Sequence, residues 1–463
     1  MRKKTLVVLC IIIITIICFF MVGLLQNPER VNIYIFLMTS FVSLWSFYYI
    51  KKKFSLGMFF VTAYYTISMP FQMLLSVFLP SWLVATRFNS LYDEQLFQNN
   101  DLMFRYFVLG TSFFLIATFI CRLIEKTSSE KRCVNNAYSS SFVPIPFALF
   151  LLSIICVFHI MEIRADANGF IDYAIRGISL FLLGHIVVSS YSRGNQISFK
   201  TILIIVLAVF IYGLPHILIG MRSDFILGFV YSFAYLLLVD FQGVKRYIKK
   251  HFVVFILLCF VFLGMFSFIT TIKFGNGIDY DKNVFYLIIR RMTGLFDGST
   301  ILQYLKSDNI NLDFKNFFGV ALNEQRDHST GYRANQYYTF FIQGYPTNDQ
   351  TGSAAPAFIS ALFYGPLGWF LIICYISILN GYFSTKASAY FTMIKKGCCS
   401  HEIKMKAFFM IFAIHICVVT YMMGGNYEAI KLFSPVIVSL ILTDVFSRLS
   451  GSLSESRVNV TQR

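Results

Sequence analysis

Residues 202–239 read ILIIVLAVFIYGLPHILIGMRSDFILGFVYSFAYLLLV, which is two apolar runs separated by one short polar stretch. Each run is close to the roughly 20 residues that an α-helix needs to cross the hydrocarbon core of a bilayer. The stretch between them, residues 220–224, is too short to form anything but a turn. The pattern therefore predicts two membrane helices joined by a tight turn, with Arg222 and Asp224 at the membrane boundary.

The rest of the chain has the same character. Of its 463 residues, 57% are hydrophobic and only 13% are charged, and the mean hydropathy is +0.66. An ordinary soluble domain has about 25% charged residues. The apolar runs are continuous, whereas a β-barrel would show short segments of alternating polarity. The sequence predicts an all-α, polytopic membrane bundle of about 12 transmembrane helices.

The formal net charge of +16 is distributed unevenly. Most basic residues fall in segments that separate alternate apolar runs, and the positive-inside rule places such segments in the cytoplasm. Both termini are then cytoplasmic, and no nucleic-acid partner is predicted. These basic segments are residues 2–4, 51–53, 122–132, 193–200, 245–250, 386–406 and 448 onward.

Three regions follow from this assignment. Residues 1–272 hold the first nine predicted spans, residues 273–354 form a large periplasmic loop, and residues 355–463 hold the last three spans and a cytoplasmic tail. Within the loop, residues 283–304 are expected to form short amphipathic helices along the membrane surface. The predicted spans are residues 5–25, 33–50, 54–79, 105–124, 142–163, 177–192, 202–219, 225–239, 252–272, 356–383, 407–423 and 429–447.

Arginines collect on the outward side, although short outward loops normally avoid them. The planar guanidinium group suits phosphate and pyrophosphate oxygens, so an anionic ligand is one explanation. Pairing with outward carboxylates or with lipid headgroups is the other. The arginines are Arg164, Arg176, Arg222, Arg290, Arg291, Arg326 and Arg333, and the carboxylates are Asp224, Asp297, Glu324, Asp327 and Glu428.

Arg222 is the strongest single candidate among these arginines. It follows Gly220, which permits close backbone approach, and it lies beside Asp224. A helix that begins at this point would add the positive potential of its N-terminus. A pyrophosphate attached to a membrane lipid would meet Arg222 at the depth of the headgroups.

Other candidate residues lie in the loop and in the spans. His328 is a candidate general base, although it could equally be a solvated loop residue, and Tyr337 could stack on a sugar ring or pack the loop. His159, His185, His216 and His415 are expected to form hydrogen bonds between helices. The sequence contains no HExxH, GxSxG or glycine-rich phosphate loop, so neither a metal nor a cofactor is predicted.

Taken together, these features resemble a Wzy-type O-antigen or capsule repeat-unit polymerase. Three short stretches carry the resemblance: Gly220-Met221-Arg222 between two spans, the segment from Arg290-Arg291 to Tyr304, and the segment from Thr351-Gly352-Ser353 to Gly368. The spacing from Arg333 to Gly344 also matches a loop pattern found in some members of the family.

The resemblance implies a GT-C-like helical bundle in the bacterial inner membrane with its active site facing the periplasm. Such an enzyme transfers a growing glycan from undecaprenyl pyrophosphate to a second lipid-linked repeat unit. Donor and acceptor are both undecaprenyl-linked, and a co-polymerase that regulates chain length is an implied partner. Arg222 would bind pyrophosphate, and Asp224 or His328 would act as the base. Arg290 or Arg291 with Arg333 would bind a second phosphate or the sugar.

Two alternatives remain open from the sequence. An O-antigen ligase has a similar architecture and uses a loop histidine, which His328 could supply. A flippase or exporter of lipid-linked oligosaccharides would also have many spans and basic groups. It would be expected to show related halves and charges along a central cavity, rather than arginines concentrated on one face.

Overall fold

The computed structural model of the protein describes residues 100–128, 143–164, 169–192, 197–218, 223–253, 264, 357–397, 400–423 and 429–461. All regular structure in these ranges is helical. The helices are α1 Asn100–Ser128, α2 Ile145–Arg164, α3 Gly169–Ser192, α4 Phe199–Leu218, α5 Ser223–Val239, α6 Phe241–Lys250, α7 Ala357–Ser360, α8 Gly365–Lys395, α9 His401–Met423 and α10 Ala429–Thr461, with a 3₁₀ turn at Ala361–Tyr364 between α7 and α8.

The chain is an integral membrane protein with several helical spans. Among the described residues, three segments are long and apolar enough to cross a bilayer: Ile171–Tyr191, Ala357–Lys395 and His401–Tyr421. The bent pair formed by α5 and α6 would be a fourth if the two helices made one span. Shorter apolar helices cover Leu109–Ile124, Ile145–Met161 and Phe199–Pro215. The predicted spans 5–25, 33–50 and 54–79, most of 252–272, and the loop 273–354 lie outside the described residues.

Several predicted boundaries differ from the structure. Residues up to Arg176 were expected to form an outward segment, but α3 already begins at Gly169. Asp172 and Arg176 are one helical turn apart and pair with each other, which makes this polar stretch compatible with a helix.

Residues 384–406 were expected to form a cytoplasmic loop, yet α8 continues to Lys395 and α9 begins at His401. The 31 residues of α8 span about 46 Å, so this helix is longer than the roughly 30 Å hydrocarbon core.

The described residues belong to two compact units. In the first unit, α1 packs against α8 and the end of α9. The Trp369 indole N–H donates to the carbonyl of Phe358 at 2.8 Å, and its ring meets Tyr106 edge to face. Farther along both helices, the backbone of Gly381 lies against Ala117. Contacts advance in the same direction along α1 and α8, so the two helices run parallel, as the spans 105–124 and 356–383 were expected to do.

In the second unit, α2, α3, α4 and α5 pack against one another. Each is joined to the next by a short link, so neighbours in sequence run antiparallel. Helix α10 runs parallel to α3: Ser439 donates from its hydroxyl to the Gly177 carbonyl at 2.9 Å, and Phe181 stacks on Phe446 farther along. These directions agree with the alternation that the charge pattern predicted.

Candidate functional site

Most of the predicted site residues lie outside the described part of the chain. Asp224 is the exception, because it is the second residue of α5, although its side chain lies outside what the structure describes. The other candidates are Gly220, Arg222, Arg290, Arg291, His328, Arg333 and Tyr337. The structure does describe the two helices that flank the link containing Gly220 and Arg222.

The link between α4 and α5 is held by two closely packed helices. Helix α4 ends at Leu218 and α5 begins at Ser223, so four residues connect them. A Cβ at Gly213 would lie 2.7 Å from Cβ of Phe225, and one at Gly228 would lie 3.1 Å from the ring of Tyr212. These glycines let the helices approach closely on either side of the link. The hairpin predicted from residues 202–239 is therefore a tightly packed pair of antiparallel helices.

The start of α5 also fixes the electrostatics of this end of the bundle. The first four N–H groups of an α-helix have no partner within the helix, and they point toward its N-terminus. Because α5 begins at Ser223, those groups are directed toward the link that contains Arg222. The 17 residues of α5 span about 26 Å, somewhat less than the roughly 30 Å hydrocarbon core.

A second polar cluster lies at the same end of this unit, where α2 ends and α3 begins. His159 Nε2 lies 2.6 Å from Asp172 Oδ1. Arg176 Nε donates to the other oxygen of this carboxylate, Oδ2, over a distance of 2.8 Å. The side chain of His159 is only 3% exposed. This contact confirms the prediction that His159 bonds between helices. It also shows that Arg176, one of the arginines predicted to face outward, has a carboxylate partner.

Sequence reasoning missed Asp172 as that partner. The carboxylates considered for the outward arginines were elsewhere, because residues 164–176 were treated as a loop without a helical register. The spacing of Asp172 and Arg176, four residues apart, was the available signal. It becomes informative only once this stretch is known to be helical.

The opposite end of the same unit holds a buried histidine pair. His185 Nε2 donates to the carbonyl of Val143 at 2.9 Å. A neutral imidazole carries one proton, so Nδ1 of His185 accepts, and Nε2 of His401 donates to it across 3.0 Å. This contact confirms the prediction that His185 bonds between helices. Both rings are buried and line a small cavity with Phe181, Met405 and Phe446.

Charged residues lie close to this pair along α9 and α10. Lys406 Nζ lies 2.6 Å from Glu402 Oε1 and 2.7 Å from Asp444 Oδ1. Ser447 donates to the other oxygen of Glu402 at 2.6 Å. The network joins α9 to α10 and uses each carboxylate in an ion pair. Within the described ranges, no group of three or more His, Cys, Asp or Glu side chains is arranged to hold a metal ion.

Comparison with known proteins returned no relative. No family model matches the chain, and neither a curated protein sequence nor a solved structure matches it.

Proposed function

We propose that this protein is a glycosyltransferase of the Wzy type. It would polymerise undecaprenyl-pyrophosphate-linked oligosaccharide repeat units into O-antigen or a related surface polysaccharide at the outer face of the inner membrane. The observation that carries the proposal is the position of the Arg222 link. It joins two closely packed membrane helices, and α5 begins at the very next residue, Ser223.

A cation beside the leaving pyrophosphate would favour the reaction. When the acceptor hydroxyl attacks the anomeric carbon of the donor glycan, the bond from that carbon to the pyrophosphate oxygen breaks, and negative charge develops on the pyrophosphate. The lipid tail keeps that group at headgroup level. An arginine in a fixed position stabilises the leaving group most effectively, because no reorganisation is needed during the reaction. Free N–H groups at the start of α5 would add to the same potential.

The remaining roles are assigned by the resemblance and by chemistry. Asp224 or His328 would accept the proton of the acceptor hydroxyl. Arg290 or Arg291, with Arg333, would bind a second phosphate or the sugar, and Tyr337 would contact a sugar ring. The reaction in this form needs no metal or cofactor. A chain-length-regulating co-polymerase is the proposed protein partner.

Arg176 provides a matched comparison for Arg222. Both arginines are predicted to lie on the outward side, and Arg176 forms an ion pair with Asp172. We therefore expect Arg222 to act on substrate and Arg176 to act on the packing of α2 against α3. Measuring activity and protein level together distinguishes a role in substrate binding from a role in packing.

The test uses a strain that lacks this protein and is complemented with Arg222→Ala, Arg222→Lys or Arg176→Gln. Surface glycan is separated on a gel, and the amount of each variant in the membrane is measured in parallel. Loss of one preorganised charge contact lowers such rates about a hundredfold to a thousandfold, so both Arg222 variants should lose the ladder at a normal protein level. Arg176→Gln should retain the ladder in proportion to its protein level.

The form of the remaining glycan separates the alternatives. A single repeat unit still attached to the lipid core would mean that polymerisation failed while export and ligation continued, as proposed. Loss of all surface glycan would favour a ligase or a flippase. A normal ladder in both Arg222 variants would remove this residue from the site.

A further inference from the structure

Helix α6 carries an exposed basic face. Lys245, Arg246, Lys249 and Lys250 are all exposed. Within the described part of the chain, no ion pair joins any of these side chains to an acidic residue. Four clustered, exposed cations that have no carboxylate partner among the described residues form a surface that suits an anionic partner outside the protein.

The orientation of α6 relative to α5 is the second observation. The two helices meet at a bend of 112°, so α6 turns away from the direction of the apolar helix before it. Asp240 fixes the bend as the N-cap of α6, because its Oδ1 accepts from the backbone N–H of Gly243 at 2.8 Å. A Cβ at position 243 would meet the Asp240 carboxylate, so a larger residue there would displace the cap. If α5 crosses the bilayer, α6 lies close to the membrane plane.

Apolar side chains accompany the basic face. Phe241 is 59% exposed at the start of α6, and Phe252 and Val253 are 59% and 69% exposed just after its end. Val244 is buried against the protein. An exposed aromatic residue beside lysines is typical of a helix in the membrane interface, where the rings enter the acyl region and the ammonium groups reach the headgroups.

Helix α6 is unsuited to the interior of the bilayer. Its 10 residues extend about 15 Å, half of the hydrocarbon core. Lysine and arginine at that depth are strongly unfavourable. The interface is the only membrane environment that suits both its length and its charge.

We propose that α6 is an interfacial helix that binds the headgroups of anionic phospholipids in the cytoplasmic leaflet. The basic segments of the chain place this end of α5 on the cytoplasmic side. Anionic lipid in that leaflet attracts basic segments close to the membrane surface, and the contribution of each Lys or Arg corresponds to about a fivefold change in affinity. The surface is formed by side chains of α6 and does not depend on the proposed glycosyltransferase activity.

The test uses the full-length protein, purified in detergent and exchanged into nanodiscs made of phosphatidylcholine and phosphatidylglycerol. Released protein is examined by native mass spectrometry to count the lipids of each kind that it retains. The test variant is Lys245→Gln, Lys249→Gln, Lys250→Gln in one chain. The control is Lys200→Gln, which removes an exposed lysine on the same predicted side at the start of α4.

Wild type should retain phosphatidylglycerol in preference to phosphatidylcholine. The triple variant should lose most of that preference, roughly a hundredfold in relative affinity for three charges, while Lys200→Gln stays close to wild type. In wild type, raising the salt from about 0.1 M to about 1 M should weaken retention, because exposed charges are screened. This salt series tests the surface without any substitution.

The proposal would be overturned if the triple variant kept the wild-type preference, or if wild type retained both lipids equally. Loss of the preference in Lys200→Gln to the same extent would show that net charge, rather than α6, decides lipid retention. A wild-type preference that did not respond to salt would exclude attraction to headgroup charge as its cause.

Discussion

His159 on α2 and Asp172 on α3 meet at 2.6 Å between Nε2 and Oδ1, and this contact ties together two helices that four residues connect. The carboxylate also holds Arg176, so it is the centre of a three-residue cluster. The cluster lies at the end of the bundle to which the Arg222 link belongs. We therefore expect the cluster to stabilise the helices around the proposed site and to take no part in the chemistry.

Substitution of Asp172 by Ala should destabilise the protein more than loss of either partner. A hydrogen bond to a charged group contributes about 2 kcal/mol, and removal of the acceptor leaves His159 buried without this bond. Arg176→Gln removes only the more exposed of the two contacts to Asp172 and should lower the stability by a smaller amount. The measurement is the unfolding midpoint of the full chain in detergent, followed by size-exclusion chromatography. Equal midpoints for the two variants would contradict the central role of the carboxylate.

The histidine pair predicts a difference between two substitutions at one position. His401→Gln keeps an N–H donor that reaches toward Nδ1 of His185, whereas His401→Leu removes the donor. Hydrogen bonds between membrane helices contribute about 0.6 kcal/mol on average, with a maximum of about 1.7 kcal/mol. We expect His401→Leu to lower the free energy of unfolding by about 1 kcal/mol more than His401→Gln.

Reversible unfolding in mixed micelles with increasing denaturing detergent measures that difference. His185→Phe provides a second check, because it removes both the acceptor toward His401 and the donor toward Val143. His185→Phe should lower the free energy of unfolding by at least as much as His401→Leu. Indistinguishable Gln and Leu variants at position 401 would mean that the pair contributes through packing alone.

Gly381 should be intolerant of the smallest side chain. A Cβ at this position would lie 2.9 Å from the carbonyl carbon and oxygen of Ala117, which are backbone atoms and cannot turn away. Overpacking of this kind costs about 1–3 kcal/mol, so Gly381→Ala should separate α8 from α1 and lower stability. The control is Gly264→Ala, because no atom of the described residues lies within 4 Å of a Cβ there.

The control variant should match or slightly exceed wild type, since Ala favours a helix over Gly by about 1 kcal/mol. Thermal stability and yield of both variants in the same detergent provide the comparison. A stable Gly381→Ala protein would mean that α1 and α8 are not in close contact in the membrane.

The sidedness of the bundle is open to a direct test. Alkaline phosphatase fused after residue 167, between α2 and α3, should be active because the periplasm is oxidising. A fusion after residue 195, between α3 and α4, should be inactive although it is expressed. The opposite result would invert the bundle and place α6 and its basic face outside the cytoplasm.

Several features of this protein follow from local windows of the sequence. Runs such as residues 202–239 identify membrane helices because the bilayer excludes unpaired backbone groups and charges from any short segment, whatever the remainder of the chain does. The basic segments give the direction of each span by the same local logic. The described pairs bear out the relative directions: α1 runs parallel to α8, and α3 runs parallel to α10.

Helix ends and polar partners were harder to predict. Sequence reasoning ended the span before 384, where lysines begin, yet α8 continues to Lys395 because a helix leaving the membrane remains hydrogen-bonded along its own backbone. The bend between α5 and α6 was also missed, although Asp240 and Gly243 form its cap. Residues 245–250 had been considered only as a source of positive charge.

The sequence by itself determined that this is a helical membrane protein, and it predicted the relative directions of the described helices, because each of these depends on how a short segment interacts with the bilayer. Only the tertiary structure decided which side chains meet. His185 forms a hydrogen bond with His401, which is 216 residues away in the sequence, and the rings of Phe408 and Phe409 pack against Gly184. In a chain with 53 Phe residues most faces of the membrane helices are apolar, so hydropathy does not distinguish the face toward lipid from the face toward protein. Packing of small residues and the pairing of buried polar groups make that choice.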